Sequence, residues 1–258
     1  MITVKINNLE IAKKLVQSVL AFSADAKFEV TPEGVSIPLK CDIPDKMRIL
    51  FTSNVITSSE PVGLCIKEAS RFYRAIDLVY NELGKPEYAD MELTVTDRQD
   101  FLVYKNGSLQ FKIGMATDRA LAGCIDTNKV EYPEIAYSFK LNSERIKALF
   151  RQSAIVRSSE ARIFIIRGEG QEIAAKLEDE ESLSSGMVAI KIADCLESGT
   201  FSPVIIKADM FKALTKFPYE ECIFRQHANK ALSVVANTNF GNFNIGTNIL
   251  FAPKKPKR

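Results

Sequence analysis

A single histidine, His227, stands in 258 residues, and that scarcity removes much chemistry at once. A histidine-based triad or a His-rich metal cluster needs partners the chain does not have. His227 itself falls in Gln226-His227-Ala228-Asn229, which reads as an exposed turn. The five cysteines, Cys41, Cys65, Cys124, Cys195 and Cys222, are odd in number and lack CxxC spacing. That argues against a disulfide framework and against a zinc site, and they read as small core residues kept reduced. No GxxxxGK(S/T), GxGxxG or HExxH run occurs, so nucleotide-binding and zinc-hydrolase readings lack their anchor. The acidic run Glu178-Asp179-Glu180-Glu181 reads as a solvated loop rather than a metal site. No stretch of about 20 apolar residues is present to span a membrane, and the start, MITVKINN, lacks the basic-then-apolar plan of a signal peptide. These absences predict a soluble intracellular protein that is not an enzyme and needs no cofactor or metal.

What is present is a helix plan used four times. In Asn142–Arg157, Ile146, Leu149, Phe150 and Ser153 share one face at 100° per residue, while Lys147 and Arg151 point away. Asn142 or Ser143 can cap its first turn. In Asn8–Leu20 the core face is Ala12, Leu15, Val16 and Val19, with Lys13 and Lys14 behind. In Lys67–Glu82 it is Ala69, Phe72, Tyr73, Ile76 and Tyr80, with Lys67, Arg71 and Arg74 behind. In Ala208–Phe217 it is Phe211 and Leu214, with Lys212 and Lys216 behind. The whole chain has 34 Lys plus Arg against 32 Asp plus Glu. Nine bases on these backs, against Glu10 and Asp209 as acids, is therefore read as a local enrichment.

The apolar content of 46 % is ample for a core, and strands fill the intervals between helices. Ile2–Ile6, Lys27–Val30, Val35–Leu39, Met47–Phe51 and Val62–Ile66 precede the second helix. Gly84-Lys85-Pro86 stops that helix, and Met91–Thr96, Phe101–Tyr104 and Leu109–Met115 follow, with Asn106-Gly107 as a hairpin turn. Leu109, Phe111, Ile113 and Met115 alternate, which predicts one buried face. Periodicity lapses over Ala116–Glu134, read as a linker, and restarts at Ile135 with strand, helix and further strands at Arg162–Ile166, Glu172–Leu177, Met187–Ile192, Val204–Lys207, Cys222–Arg225, Leu232–Ala236 and Phe243–Ile249.

The two halves match locally. Lys5-Ile6-Asn7 corresponds to Lys140-Leu141-Asn142 and Ala26-Lys27 to Ala161-Arg162, both at an offset of 135; Glu33-Gly34 corresponds to Glu169-Gly170 at 136 and Ile66-Lys67 to Ile206-Lys207 at 140. Four pairs in order predict an internal duplication of α+β units, each with two helices covering antiparallel sheet. The expected boundaries are 1–117 and 135–253 for the two domains, 118–134 for the connector and 254–258 for a basic tail. Basic helices without a base-reading motif suit a sequence-independent grip on phosphates, which makes a DNA duplex the natural partner.

The order of elements, the connector end Val130-Glu131-Tyr132-Pro133-Glu134-Ile135-Ala136-Tyr137-Ser138, the turn Thr215-Lys216-Phe217-Pro218 and the ending Leu250-Phe251-Ala252-Pro253-Lys254 together resemble DNA sliding clamps. The likeness is to clamps of the proliferating cell nuclear antigen type and their tailed-phage relatives, over residues 1 to 253. It implies a homotrimer, a ring of six clamp domains with helices inside and sheets outside. Lys13, Lys14, Lys67, Arg71, Arg74, Lys147, Arg151, Lys212 and Lys216 would then face double-stranded DNA. It further implies a subunit joint by strand addition between Ser108–Met115 (with Leu109, Phe111 and Ile113) and Gly186–Ile192 (with Val188, Ile190 and Ile192). Partner peptides would dock at Val130, Tyr132, Pro218, Leu250, Ala252 and Pro253.

The function implied is that of a processivity factor that tethers a DNA polymerase and is opened by an ATP-dependent loader, without a membrane partner. Lys40 departs from the pattern by standing where an apolar pocket residue is expected, and the basic tail departs from relatives that end acidic. The net charge of +2 fits a viral or phage member, working in an infected bacterial cytoplasm or in a nucleus. A checkpoint-type or heterotrimeric clamp subunit, and a non-ring protein-interaction module, remain as alternatives.

Overall fold

Asn8 opens the first helix: its side-chain Oδ1 accepts from the Ile11 N–H at 3.1 Å, which satisfies a donor the helix itself cannot. Helix α1 (Leu9–Leu20) then buries Leu9, Ile11, Ala12, Leu15, Val16 and Val19. Full burial of a large aliphatic side chain contributes about 1.5–3 kcal/mol, so this stripe holds the helix to the fold more strongly than its intrinsic propensity does.

The structure, a computed structural model, describes residues 1–41, 47–86, 88–124, 134–155, 160–166, 172–177, 188–194, 204–207, 214–215, 219–229 and 231–251. In chain order the first half holds β1 (Ile2–Ile6), α1, β2 (Ala26–Thr31), β3 (Gly34–Cys41), β4 (Met47–Ser53), β5 (Ile56–Ser58), β6 (Val62–Ile66), α2 (Ala69–Glu82), β7 (Met91–Val95), β8 (Phe101–Asn106) and β9 (Leu109–Gly114). The second holds β10 (Ile135–Asn142), α3 (Ser143–Ile155), β11 (Glu160–Ile166), β12 (Glu172–Leu177), β13 (Val188–Asp194), β14 (Val204–Lys207), β15 (Glu221–His227), β16 (Leu232–Phe240) and β17 (Phe243–Phe251). The described part of the fourth expected helix is Leu214, helical and buried, with the turn residue Thr215; Lys212 and Lys216 lie outside the described residues.

Two compact units divide the chain: Met1–Asn128 with Thr238–Thr247, and Lys129–Asn237 with Asn248–Arg258. Unit 1 has one sheet in the order β5-β1-β7-β8-β9 and a second in which β6, β2, β3 and β4 are neighbours. The tip of the β16–β17 hairpin belongs to this unit. There the Asn54 amide donates to Asn242 O at 2.8 Å, and the Asn244 N–H donates back to Asn54 Oδ1 at 2.9 Å. Helices α1 and α2 pack together over a core that includes Phe28 and Phe72, edge to face at 5.4 Å. Unit 2 carries the neighbours β10-β15-β16-β17 and a four-stranded sheet β13-β12-β11-β14. Phe139 on β10 stacks on Phe224 of β15 at 5.1 Å.

Three features differ from the sequence reading. Strand β5, only three residues long, pairs antiparallel with β1 through Val4↔Ser58 and Ile6↔Ile56, too short a run to show alternation. The expected linker opens with a 3₁₀ turn, Asp118–Leu121, whose Leu121 is buried. His227 is no exposed turn residue: it ends β15 with 3 % exposure, and its Nε2 lies 2.9 Å from Ser233 Oγ. The turn begins one residue later, at Ala228.

Candidate nucleic-acid interface

On α1, Lys13 and Lys14 are half-buried, and on α2 Arg71 and Arg74 are exposed. Lys67 is exposed too, but it precedes α2, whose N-cap is Glu68 in the left-handed region at φ 59°. The Asp25 carboxylate holds that residue by accepting from the Glu68 N–H at 2.8 Å. On α3, Asn142 Oδ1 accepts from the Arg145 N–H at 2.8 Å, the expected cap; Lys147 is half-buried, while Arg151 and Arg145 are exposed.

The charge count on the helix backs changes once the helices are packed. Glu68, Asp77 and Glu144 stand among the bases and were absent from the sequence tally. Lys13 is bonded to Asp77 of α2, and its ammonium also lies 5.0 Å from the Tyr80 ring centroid and 5.7 Å from that of Tyr73. Gln17 closes the same seam by donating to Tyr73 Oη at 2.9 Å. Burial works against charge on Lys13, yet its bond to Asp77 and the nearby phenols outweigh that and raise its pKa; the same bond holds Asp77 below the usual carboxylate range. Lys14 pairs with Glu10 at 2.8 Å and covers the Phe240 ring at 4.8 Å. Arg71 pairs with Glu68, and Lys147 with Glu144 at 2.8 Å. Among the described residues, Arg74, Arg145 and Arg151 on these helices, and Lys67 just before α2, form no ion pair. Arg145 is the one the sequence reading missed, because it falls between the apolar face and the assigned back.

At the proposed joint, β9 ends one sheet and β13 ends another among the described strands. Only Ile113 of the alternating β9 set is buried; Leu109 and Phe111 are half-buried, with Phe111 stacked on Tyr104 at 5.0 Å. The predicted buried face is thus incomplete, because an edge strand has a neighbour on one side only. On β13 the register runs Leu177↔Val188 and Ala175↔Ile190, then slips so that Ala174 faces Lys191 and Ile173 faces Ala193, with Ile192 at the slip. Of the expected peptide pocket, Leu250 is described, half-buried on β17; Val130, Tyr132, Pro218, Ala252 and Pro253 lie outside the described residues, as do the acidic run 178–181 and the basic tail.

The start of the connector is fastened to unit 1. Asp118 accepts from Lys27 Nζ and from Cys65 Sγ, each at 2.9 Å. Those two bonds, the thiol's first, lower the pKa of Asp118. Burial, then the bond to Asp118, pushes the Cys65 thiol up to about 12. Among the described residues no three His, Cys, Asp or Glu gather as a metal site requires, and no helix is long and apolar enough to cross a membrane.

No known family profile matches the chain, and no curated protein matches it by sequence. Its fold does have a solved counterpart. The chain superposes with a TM-score of 0.69 on the structure described as the C-terminal region of FEN-1 bound to A. fulgidus PCNA, covering 100 % of both chains at 16 % identity. The chain therefore has a PCNA-like clamp fold.

Proposed function

We propose that the protein is a DNA sliding clamp: a non-catalytic processivity factor, built as a duplicated pair of domains, that encircles duplex DNA and tethers a DNA polymerase and other replication proteins. The observation that carries this reading is the fold match over the full length of both chains. The order of elements supports the duplication, since β1-α1-β2-β3-β4 and β10-α3-β11-β12-β13 run in parallel, as do β7-β8-β9 and β15-β16-β17.

The strand edges support the ring. Strands β9 and β13 each end a sheet among the described strands. Joining β9 of one chain to β13 of the next covers edges that otherwise invite aggregation. Three chains then close a six-domain ring. Lys67, Arg74, Arg145 and Arg151 supply interchangeable phosphate contacts on its inner side. The A. fulgidus PCNA counterpart carries the C-terminal region of FEN-1; by analogy this chain docks partners through short peptides near the connector and Leu250, and an ATP-dependent loader opens the ring. A viral or phage origin accords with its near-neutral charge.

One observation favours a different reading, a non-ring interaction module: four of the seven described candidate bases are already paired with carboxylates. Light scattering on the purified chain over a dilution series decides. A mass near three times 28.8 kDa is expected. A monomer at every concentration would remove the homotrimer, and addition of a second clamp-like chain would then test the heterotrimeric or checkpoint form.

A further inference from the structure

The chain has one Asn-Gly pair, Asn106-Gly107, and it closes the β8–β9 hairpin. Asn106, the last residue of β8, pairs with Leu109 across a two-residue turn, Gly107–Ser108. Gly107 has φ 55° at the first turn position, where hairpins of this kind favour glycine. Asn106, Gly107 and Ser108 are all exposed, and nothing lies within 4 Å of where a Cβ on Gly107 would stand.

An asparagine carries a latent reaction with its own backbone. The amide nitrogen of the next residue can attack Cγ, and glycine, having no side chain, leaves that approach open. A hydrogen bond held by either group withdraws it from the reaction. Among the described residues, neither the Asn106 side chain nor the Gly107 N–H forms a hydrogen bond. Asn142, followed by the small Ser143, is the contrast: its Oδ1 accepts from the Arg145 N–H and the Ser143 N–H donates to Glu220 O, both at 2.8 Å. Asn8 and Asn54 are tied by side-chain bonds of their own.

We propose that Asn106 is a self-modification site whose product loosens β9. The Gly107 nitrogen bonds to Asn106 Cγ, the Cγ–Nδ2 bond breaks, and the side-chain nitrogen leaves as ammonia with the proton from the Gly107 N–H. Water then opens the five-membered imide. Cleavage at Cγ leaves aspartate; cleavage at the main-chain carbonyl leaves isoaspartate, in which the chain runs through Cβ and Cγ and gains one backbone atom. Water is the one co-reactant, and nothing is oxidised or reduced. A two-residue turn fixes the register of its hairpin, so the extra atom displaces Leu109 from Asn106 and then Gln110 from Lys105. Strand β9 ends its sheet among the described strands, with β8 as its neighbour there. Where β9 also serves as the subunit joint, the reading proposed above, the same change weakens the ring; the chemistry itself does not rest on that reading.

The test is incubation of the purified full chain in mildly alkaline buffer, which favours the deprotonated attacking nitrogen, followed by peptide mapping and amide hydrogen exchange. Two variants run beside it, with circular dichroism showing that both are folded: Asn106→Ser, which cannot cyclise, and freshly made Asn106→Asp, which carries the charge without the extra backbone atom. Asn106 should convert, mainly to isoaspartate, about tenfold faster than Asn142, a barrier difference of about 1.4 kcal/mol. The amides of Leu109–Gly114 should then exchange about tenfold faster than before incubation. Asn106→Ser should show neither change, and fresh Asn106→Asp should exchange like fresh wild type. Conversion at another asparagine as fast as at Asn106, or unchanged exchange in β9 after conversion, would overturn the inference. So would fresh Asn106→Asp exchanging as fast as the incubated chain, since charge alone would then suffice. Light scattering before incubation separates the two readings: a monomer at that stage removes the homotrimer, while the map and the exchange still decide the site.

Discussion

Lys13 shows how a residue can be identified correctly as a cation and still be misjudged in its use. Its spacing places it on the back of α1, but its partner Asp77 lies 64 residues away on α2, and no reading of single helix faces reveals which neighbour will pack there. Held by Asp77 between Tyr73 and Tyr80, Lys13 fastens two helices. Lys13→Met should lower stability by about 1 kcal/mol, the worth of partly exposed cation–π contacts, which calorimetry would read as a Tm drop of about 2–4 °C. Its DNA affinity should stay close to wild type; a large loss of binding at unchanged Tm would return Lys13 to the DNA-facing set. The connector clip offers a pH test. Asp118 has a folded-state pKa below its ordinary value, so its stabilising effect is fully present above the unfolded-state pKa of about 4 and is lost as pH falls through the folded value. Asp118→Asn should therefore melt below wild type at neutral pH, and the two curves should converge in strong acid. A constant gap at all pH values would show that the carboxylate's charge is not what the clip uses. None of this clip was legible in the sequence, because Asp118 sits in a stretch with no periodicity and its partners come from β2 and β6.

Elements were read more surely than residues, because alternation and helical spacing are properties of contiguous sequence. The described strands and three helices fall where their apolar patterns put them, and failures came where pattern is short or local geometry decides. Strand β5 has three residues, and α2 starts at Ala69 because Glu68, not Lys67, adopts the left-handed cap. Gly34 carries a similar hidden constraint: at φ 156° an added Cβ would lie 2.4 Å from the backbone oxygen of Ser53 on β4. Backbone cannot retreat as a side-chain tip can, so Gly34→Ala should cost about 1–3 kcal/mol in denaturant unfolding. A variant as stable as wild type would mean that β3 and β4 separate there without penalty. The proposed joint is also an element-scale claim. Leu109 is half-buried on a terminal strand, so Leu109→Lys should leave the fold intact while placing an unpaired charge in the interface. Light scattering should then show a shift from trimer to monomer with little change in the circular dichroism spectrum; an unaltered mass would move the joint elsewhere.

At the scale of the whole molecule, a net charge of +2 gives no general attraction for DNA, so any grip must come from where the cations stand. The resemblance in sequence reached the clamp fold, since element order survives when identity has fallen to 16 %. It did not reach the charge balance of the helices, which depends on long-range pairing. That pairing turns the inner-face proposal into a selective one: bases already bonded to Asp77, Glu10, Glu68 and Glu144 gain less from a phosphate, because they must give up a carboxylate to meet it, than Lys67, Arg74 and Arg151, which form no such pair among the described residues. Each lost phosphate contact removes about 0.9 from the slope of log affinity against log salt. Anisotropy titrations of a labelled duplex should therefore show a clearly flatter salt dependence for Lys67→Glu with Arg74→Glu and Arg151→Glu than for wild type. Reversal of Lys14 and Lys147 should change the slope less, because each of these bases is already engaged with Glu10 or Glu144 and has a weaker phosphate contact to lose. If both sets flatten it equally, the intrachain pairs yield freely to DNA and all the described bases share the track; if neither does, these helices do not face DNA.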